Sequence, residues 1–211
     1  MRRLPGRDRA AVIRGYRPGD LRALYQVCLQ TGDSGRDATA QFRDPDLLGH
    51  VYAAPYGVLE PELAFVVEDQ AGVGGYCLGA LDSRAFEQRL ERDWWPPLRQ
   101  RYPQPDPAGS AHWTRDEQVA DKIHHPWITD EDLIADYPSH LHIDLVPRFQ
   151  GGGNGRQLME RQLAALRDRG SRGVHLGARA ANQRGQGFFS HLGFTRLSAD
   201  DEFHVFGMRL G

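Results

Sequence analysis

Apolar and polar positions alternate along this chain with two different periods, and the changes of period divide it into strands and helices. Residues 11–16 read as a first strand, and Pro18, Gly19 and Asp20 open a helix that Leu21, Leu24, Tyr25 and Cys28 carry on one face to about residue 30. A Gly- and Asp-rich link over 31–37 precedes a polar stretch and a helix predicted around 46–52. Residues 63–68 and 72–81 read as two strands joined by the turn at 69–72. A short apolar strand reaching Leu145 is followed by a glycine-dense turn and a helix from Asn154 to about 169, with Leu158, Met159, Leu163 and Leu166 on one face and Gly170 as its stop. A strand over 172–178, a helix over 182–193 and a last strand over 203–210 complete the order. That order predicts one α/β domain spanning 1–211, built on a mixed central sheet with flanking helices, with 82–138 inserted ahead of the glycine-dense unit.

Composition narrows the picture. A chain of 211 residues, 40% hydrophobic, is long enough for one good core and short for two full domains. A net charge of −2 gives no reason to expect nucleic-acid binding. No apolar run reaches membrane-spanning length, and the basic segment 1–7 lacks the apolar stretch of a secretory signal, so neither membrane nor export is expected. Cys28 and Cys77 sit far apart in apolar stretches, which suits buried free thiols in a reducing cytoplasm.

The chemistry concentrates between Leu141 and Met159. Glycines let a backbone pass close to a ligand, and a helix start directly after them offers unpaired N–H groups to an anion. The stretch Gln150-Gly151-Gly152-Gly153-Asn154-Gly155-Arg156 therefore reads as a pyrophosphate cradle. A P-loop would require Lys then Ser or Thr, whereas Arg156-Gln157 follows. A dinucleotide fingerprint would require an acid at the end of the next strand, and 174–178 carries none. The remaining pattern, Gln/Arg-x-x-Gly-x-Gly/Ala, is met by Gln150, Gly153 and Gly155. It resembles the coenzyme A loop of the GNAT superfamily of N-acetyltransferases. Asn182 to Phe194 resembles the second signature of that superfamily, Asn-x-x-Ala-x-x-Phe-Tyr-x-x-x-Gly-Phe, although an Asn at a helix start also serves as an ordinary N-cap.

The resemblance implies a GNAT fold and acetyl-CoA as acetyl donor, with no metal. Residues 151–156 would hold the pyrophosphate, and backbone groups of Leu145 and Val146 would hold the pantetheine amides. Asn182 would contact the pantetheine arm. Phe189 stands where many GNAT enzymes carry a Tyr that protonates the departing thiolate, and it has no hydroxyl to give. Stretches at 79–82, 93–103 and 137–144 further resemble the acetyltransferase-like C-terminal domain of O-GlcNAcase. In the animal proteins that domain has lost the glycine loop, whereas Gln150, Gly153 and Gly155 are intact here. With no glycosidase segment in the sequence, sugar hydrolysis is not expected.

Strand alternation sets His140, His142 and Asp144 on one face, opposite Leu141, Ile143 and Leu145. Titratable side chains in a row make a poor core, so this face is expected to line a wet cleft, with hydrogen-bonded structural residues as the alternative. Asp144 and His142 are the candidates for proton handling. Unperturbed, they would titrate near 4 and near 6.5 respectively, which would let a pH profile tell them apart. A metal site built from His140, His142, His124 and His125 lacks any standard zinc spacing.

The insertion holds all four tryptophans and is expected to form helices, for example from 82 to about 94 and from 117 to about 124, docked over the sheet by their aromatic residues. It would act as a structural cap, as a contact in a homodimer, or as a lid over the acceptor pocket. The overall expectation is acetyl transfer to a primary amine, on a small molecule or a protein. The rival is a cofactor-binding domain that does not turn over and serves interaction or sensing.

Overall fold

The computed structural model describes residues 11–211, so the basic segment 1–7 lies outside the described residues. Seven strands form one sheet: β1 (Val12–Gly15), β2 (Ala64–Asp69), β3 (Gly72–Ala80), β4 (Ser139–Leu145), β5 (Gly173–Arg179), β6 (Thr195–Ala199) and β7 (Phe203–Arg209). Their spatial order is β1-β2-β3-β4-β5-β7-β6. All neighbours are antiparallel except β4 and β5. The mixed sheet with flanking helices is the architecture that the hydrophobic pattern predicts. β6 escapes that pattern because every one of its residues is exposed, so no apolar alternation marks it.

Helices α1 (Leu21–Thr31), α2 (Leu47–Tyr52) and α3 (Ala54–Leu59) belong to the sheet face that carries Asp144. Helices α8 (Asn154–Asp168) and α9 (Gln183–His191) belong to the other. Leu24, Val27 and Cys28 of α1 are buried, as the one-sided spacing requires. In α8 the buried set is Leu158, Met159, Leu163 and Leu166, together with Gln162.

The insertion is helical and fused to the core. Asp82 caps α4 (Ser83–Arg89) by accepting the Ala85 N–H. The helix runs on through a π-helical turn at Leu90–Trp94 into α5 (Trp95–Arg101). Pro96 and Pro97 lack the N–H groups that an unbroken α ladder would need there, which accounts for the widened turn. Helix α6 (Arg115–His124) starts at a capping box between Thr114 and Glu117, and α7 (Glu131–Asp136) leads back towards β4. Phe86, Leu90, Trp95, Leu98, Val119 and Ile123 all join the main core.

The aromatic residues of the insertion contribute unequally to its docking. Trp95 is buried and Trp94 donates its ring N–H to the His50 carbonyl, but Trp113 binds only within its own loop and Trp127 is 80% exposed. Polar contacts do the rest. Asp116 accepts the backbone N–H groups of Arg43 and Asp44, and the Tyr102 hydroxyl donates to Asp44 at 2.7 Å. The insertion thus straps down the segment between α1 and α2.

Among the described residues no helix is long and apolar enough to cross a membrane.

Candidate active site

β4 is the spine of the site. On one side it pairs with β3 along its length, from Ala80–His140 to Gly75–Leu145. On the other it pairs with β5 only at Ser139–Val174 and His140–His175, after which the two strands part. The Val146 N–H donates to the Gly74 carbonyl at 2.9 Å, and the Val146 carbonyl accepts the Phe149 N–H. Alternation along the strand therefore turns the amide groups of Ile143 and Leu145 towards the opening left by β5. Both backbone groups of Val146 are engaged within the fold, whereas the Ile143 amide groups and the Leu145 N–H lie along the opening.

The glycine loop crosses the end of this opening. Gly151 and Gly153 have φ of 79° and 84°, a left-handed backbone that glycine adopts without strain, and Gly153 is the N-cap of α8. The N–H groups of Gly151, Gly152 and Gly153 donate to no acceptor among the described residues, and α8 adds the unpaired donors of its first turn. Gln150 braces the loop: its side-chain amide donates to the Leu145 carbonyl at 2.6 Å and its oxygen accepts from Arg184 at 2.6 Å. Asn154 ties its side chain back to the Phe149 carbonyl, so its contribution to an anion is its backbone N–H. Gly155 lets α9 come close, since a Cβ there would meet the Phe188 ring at 3.3 Å. Arg156 is exposed, facing Glu160 at 3.8 Å. A cradle of free N–H groups at a helix start, beside a splayed strand pair, fits a pyrophosphate with an extended amide-bearing arm.

Two residues of the second signature, Asn182 and Phe189, play different parts in α9. Asn182 caps α9, its side-chain oxygen accepting the Gly185 N–H at 2.9 Å, which leaves its NH₂ group as the part able to reach a ligand. Phe189 is buried and packs against Phe194 and Phe206. It is packed in the core, and Phe188 is the aromatic that approaches the loop. Helical rotation separates these two adjacent residues by about 100°, which a linear motif does not display.

On the other face, the row of titratable groups divides by environment. His140 is fully wired: one ring nitrogen meets the Tyr56 hydroxyl at 2.8 Å and the other meets Ser83 Oγ at 2.7 Å. Ser83 in turn donates to the Pro138 carbonyl. Burial, reinforced by His175 and His142, holds the His140 imidazole well below the usual histidine range. His142 lies among the Tyr52 and Tyr56 rings and has no hydrogen-bond partner among the described residues. Burial, with His175 nearby, pushes it down to about 4. Asp144 is partly exposed and accepts a hydrogen bond from Tyr76 at 2.8 Å. Burial pushes its carboxyl up to about 7, against smaller opposing effects of the Tyr76 and Thr31 hydroxyls.

The unperturbed order of the two candidates is thereby reversed: the carboxylate titrates near neutrality and the imidazole stays neutral far below it. His124 meets the Tyr102 carbonyl and His125 pairs with Asp121, so neither joins the row. Tyr52, Tyr56 and Tyr76 escape a reading of the sequence. Tyr76 lies opposite Asp144 only because β3 and β4 pair across the whole insertion.

No family model matches the chain. It is 27% identical over 192 residues to protein O-GlcNAcase of Rattus norvegicus, a match covering 90% of this chain and 21% of that protein. The chain thus spans about a fifth of the length of the curated relatives it matches. It is similar to the crystal structure of SsHAT at 38% identity and a TM-score of 0.86, covering 95% of this chain and 98% of the other. A putative acetyltransferase from Salmonella typhimurium, YncA, was solved with its cofactor acetyl-CoA; it shares the fold at a TM-score of 0.56 and 14% identity, covering 96% and 95% of the two chains.

Proposed function

The chain belongs to the GNAT superfamily of acetyltransferases, and we propose that it moves the acetyl group of acetyl-CoA onto a primary amine, with Asp144 taking the proton. The observation that carries this reading is the parting of β4 from β5 beside a carboxyl pushed up to about 7. A base tuned near the working pH combines a useful deprotonated fraction with a strong pull on the proton.

In this reading the N–H groups of Gly151–Gly153 and the start of α8 hold the pyrophosphate. The Ile143 amide groups and the Leu145 N–H pair with the pantetheine, and the Asn182 NH₂ group steadies it. The acceptor enters as an ammonium and gives one proton to the Asp144 carboxylate. Its nitrogen lone pair then attacks the thioester carbonyl carbon; the C–N bond forms and the C–S bond breaks. The second nitrogen-bound proton leaves for the thiolate through water, since Phe189 supplies no hydroxyl. His142, neutral throughout, lines the cleft and orients the acceptor.

The missing hydroxyl at Phe189 also favours a second reading, in which the domain binds acetyl-CoA without efficient turnover and serves as a sensor or interaction module. One experiment separates them. Acetyl-CoA and CoA, but not NAD or ATP, should raise the melting temperature, and a panel of primary amines should then release free thiol from acetyl-CoA. Stabilisation without thiol release for any amine would favour the second reading, and no stabilisation at millimolar acetyl-CoA would defeat both.

A further inference from the structure

The parallel register of β4 and β5 pairs His140 with His175 before the strands part. Continued along both strands, it sets Arg179 level with Asp144, on the opposite wall of the opening. His175, Gly177 and Arg179 share a face by alternation, and the His175 and His140 rings lie 5.7 Å apart, so this is the face that carries His142 and Asp144. Arg179 is exposed, and its guanidinium has no hydrogen-bond or ion-pair partner among the described residues.

Phe203 pairs directly with Arg179 across β5 and β7 and is 45% exposed. Its ring lies over Gly177, where a Cβ would come within 2.0 Å of it. Leu197, also exposed, leans in the same way over Gly207, the partner of His175. Across the opening, the Tyr52 phenol is within electrostatic reach of both Arg179 and Arg115. Asp200, in the adjoining hairpin turn, accepts the N–H groups of Glu202 and Phe203 and forms no ion pair with Arg179.

We propose that Arg179 and Phe203 select the acceptor, an amine whose skeleton carries an apolar group and a carboxylate. The apolar part would lie on Phe203 with the carboxylate on the Arg179 fork, leaving the amine at Asp144. A planar guanidinium matches a carboxylate with paired, charge-assisted hydrogen bonds. The same cation repels a second ammonium, which disfavours diamines. This inference rests on the acetyl-transfer reading and deepens it.

The test compares phenylalanine and 4-(aminomethyl)benzoate, each against its own carboxamide, by thiol release and by calorimetric binding to the protein–CoA complex. The carboxylate of at least one pair should be preferred about 10- to 100-fold in kcat/KM and in affinity. Arg179→Gln should erase that preference by bringing the carboxylate values down towards the carboxamide ones, with the acetyl-CoA melting shift kept, and Arg179→Lys should keep part of it. Equal treatment of acid and amide in both pairs, by turnover and by binding, would overturn the proposal and leave acetyl transfer standing. A binding preference that depends on Arg179 without any thiol release would support the recognition element and count against acetyl transfer alone.

Discussion

The two ends of β4 present the same chemistry on the same face and treat it in opposite ways. At the start, β4 is paired on both edges, and His140 finds a partner for each ring nitrogen in Tyr56 and Ser83. At the end, β5 has gone. Asp144 accepts a hydrogen bond from Tyr76 at 2.8 Å, and the hydroxyls near it do not fully offset its burial. A polar group whose neighbours satisfy it becomes structural, whereas one left partly desolvated shifts its pKa and becomes reactive. The departure of one strand thus leaves an opening beside a carboxyl that burial holds above its usual range.

The largest expected effect strikes the reactive end. Asp144→Asn nearly preserves shape, so kcat should fall about 10²–10⁴-fold while the acetyl-CoA melting shift stays within error. Full activity in this variant would place the base elsewhere. Gly153→Asp should act on the loop alone, because it brings a Cβ to a φ of 84° and a carboxylate to the anion site. Wild-type protein at 100-fold Kd should gain about 2.7 kcal/mol from acetyl-CoA, or roughly 5–10 °C in melting temperature, and this variant none.

The structural end should respond in stability. His140→Ala removes a buried imidazole and leaves the Tyr56 hydroxyl without its partner, so urea unfolding should show a loss of about 2–4 kcal/mol. A loss below about 1 kcal/mol would mean that water replaces the imidazole without penalty and that the two ends differ less than their geometry implies.

A pH series sharpens the comparison further. The acid limb of kcat should have its midpoint near 7 and vanish in Asp144→Asn; a limb near 4 would contradict the tuning. Stability should follow the same group. Its folded pKa lies above the unfolded value near 3.9, so the folded state binds more protons between the two, and the group's contribution falls as pH rises through that window. Asp144→Asn should therefore be more stable than wild type above pH 7, by about 1–3 kcal/mol, with the gap closing towards pH 4. The lowered histidines act in the opposite sense, destabilising the fold as pH drops below about 6.5, and cancel when variant and wild type are compared at each pH. The smallest effect belongs to His142→Gln: without a hydrogen-bond partner to lose, it should change kcat by less than about threefold and leave the acid limb in place.

Local signals in the sequence determined a good deal. Periodicity is a property of neighbouring residues, so α1, α8, β2 and β3 and the order of the units were legible, as was the glycine loop, whose φ values only glycine adopts readily. The choice of Asp144 and His142 as neighbours on one face came from alternation alone. Three things were decided only by tertiary structure. The partner of Asp144 is Tyr76, which reaches it through strand pairing across residues 82–138, and no local pattern encodes a register between segments so far apart. The point where β5 leaves β4 exposes the edge at Ile143 and Leu145 in place of Val146, because hydrogen bonding to β3 decides which amides are spare. Finally, a pKa is set by the whole surroundings of a group: the same Asp and His that titrate near 4 and 6.5 in a peptide exchange that order once one face of a sheet is buried around them.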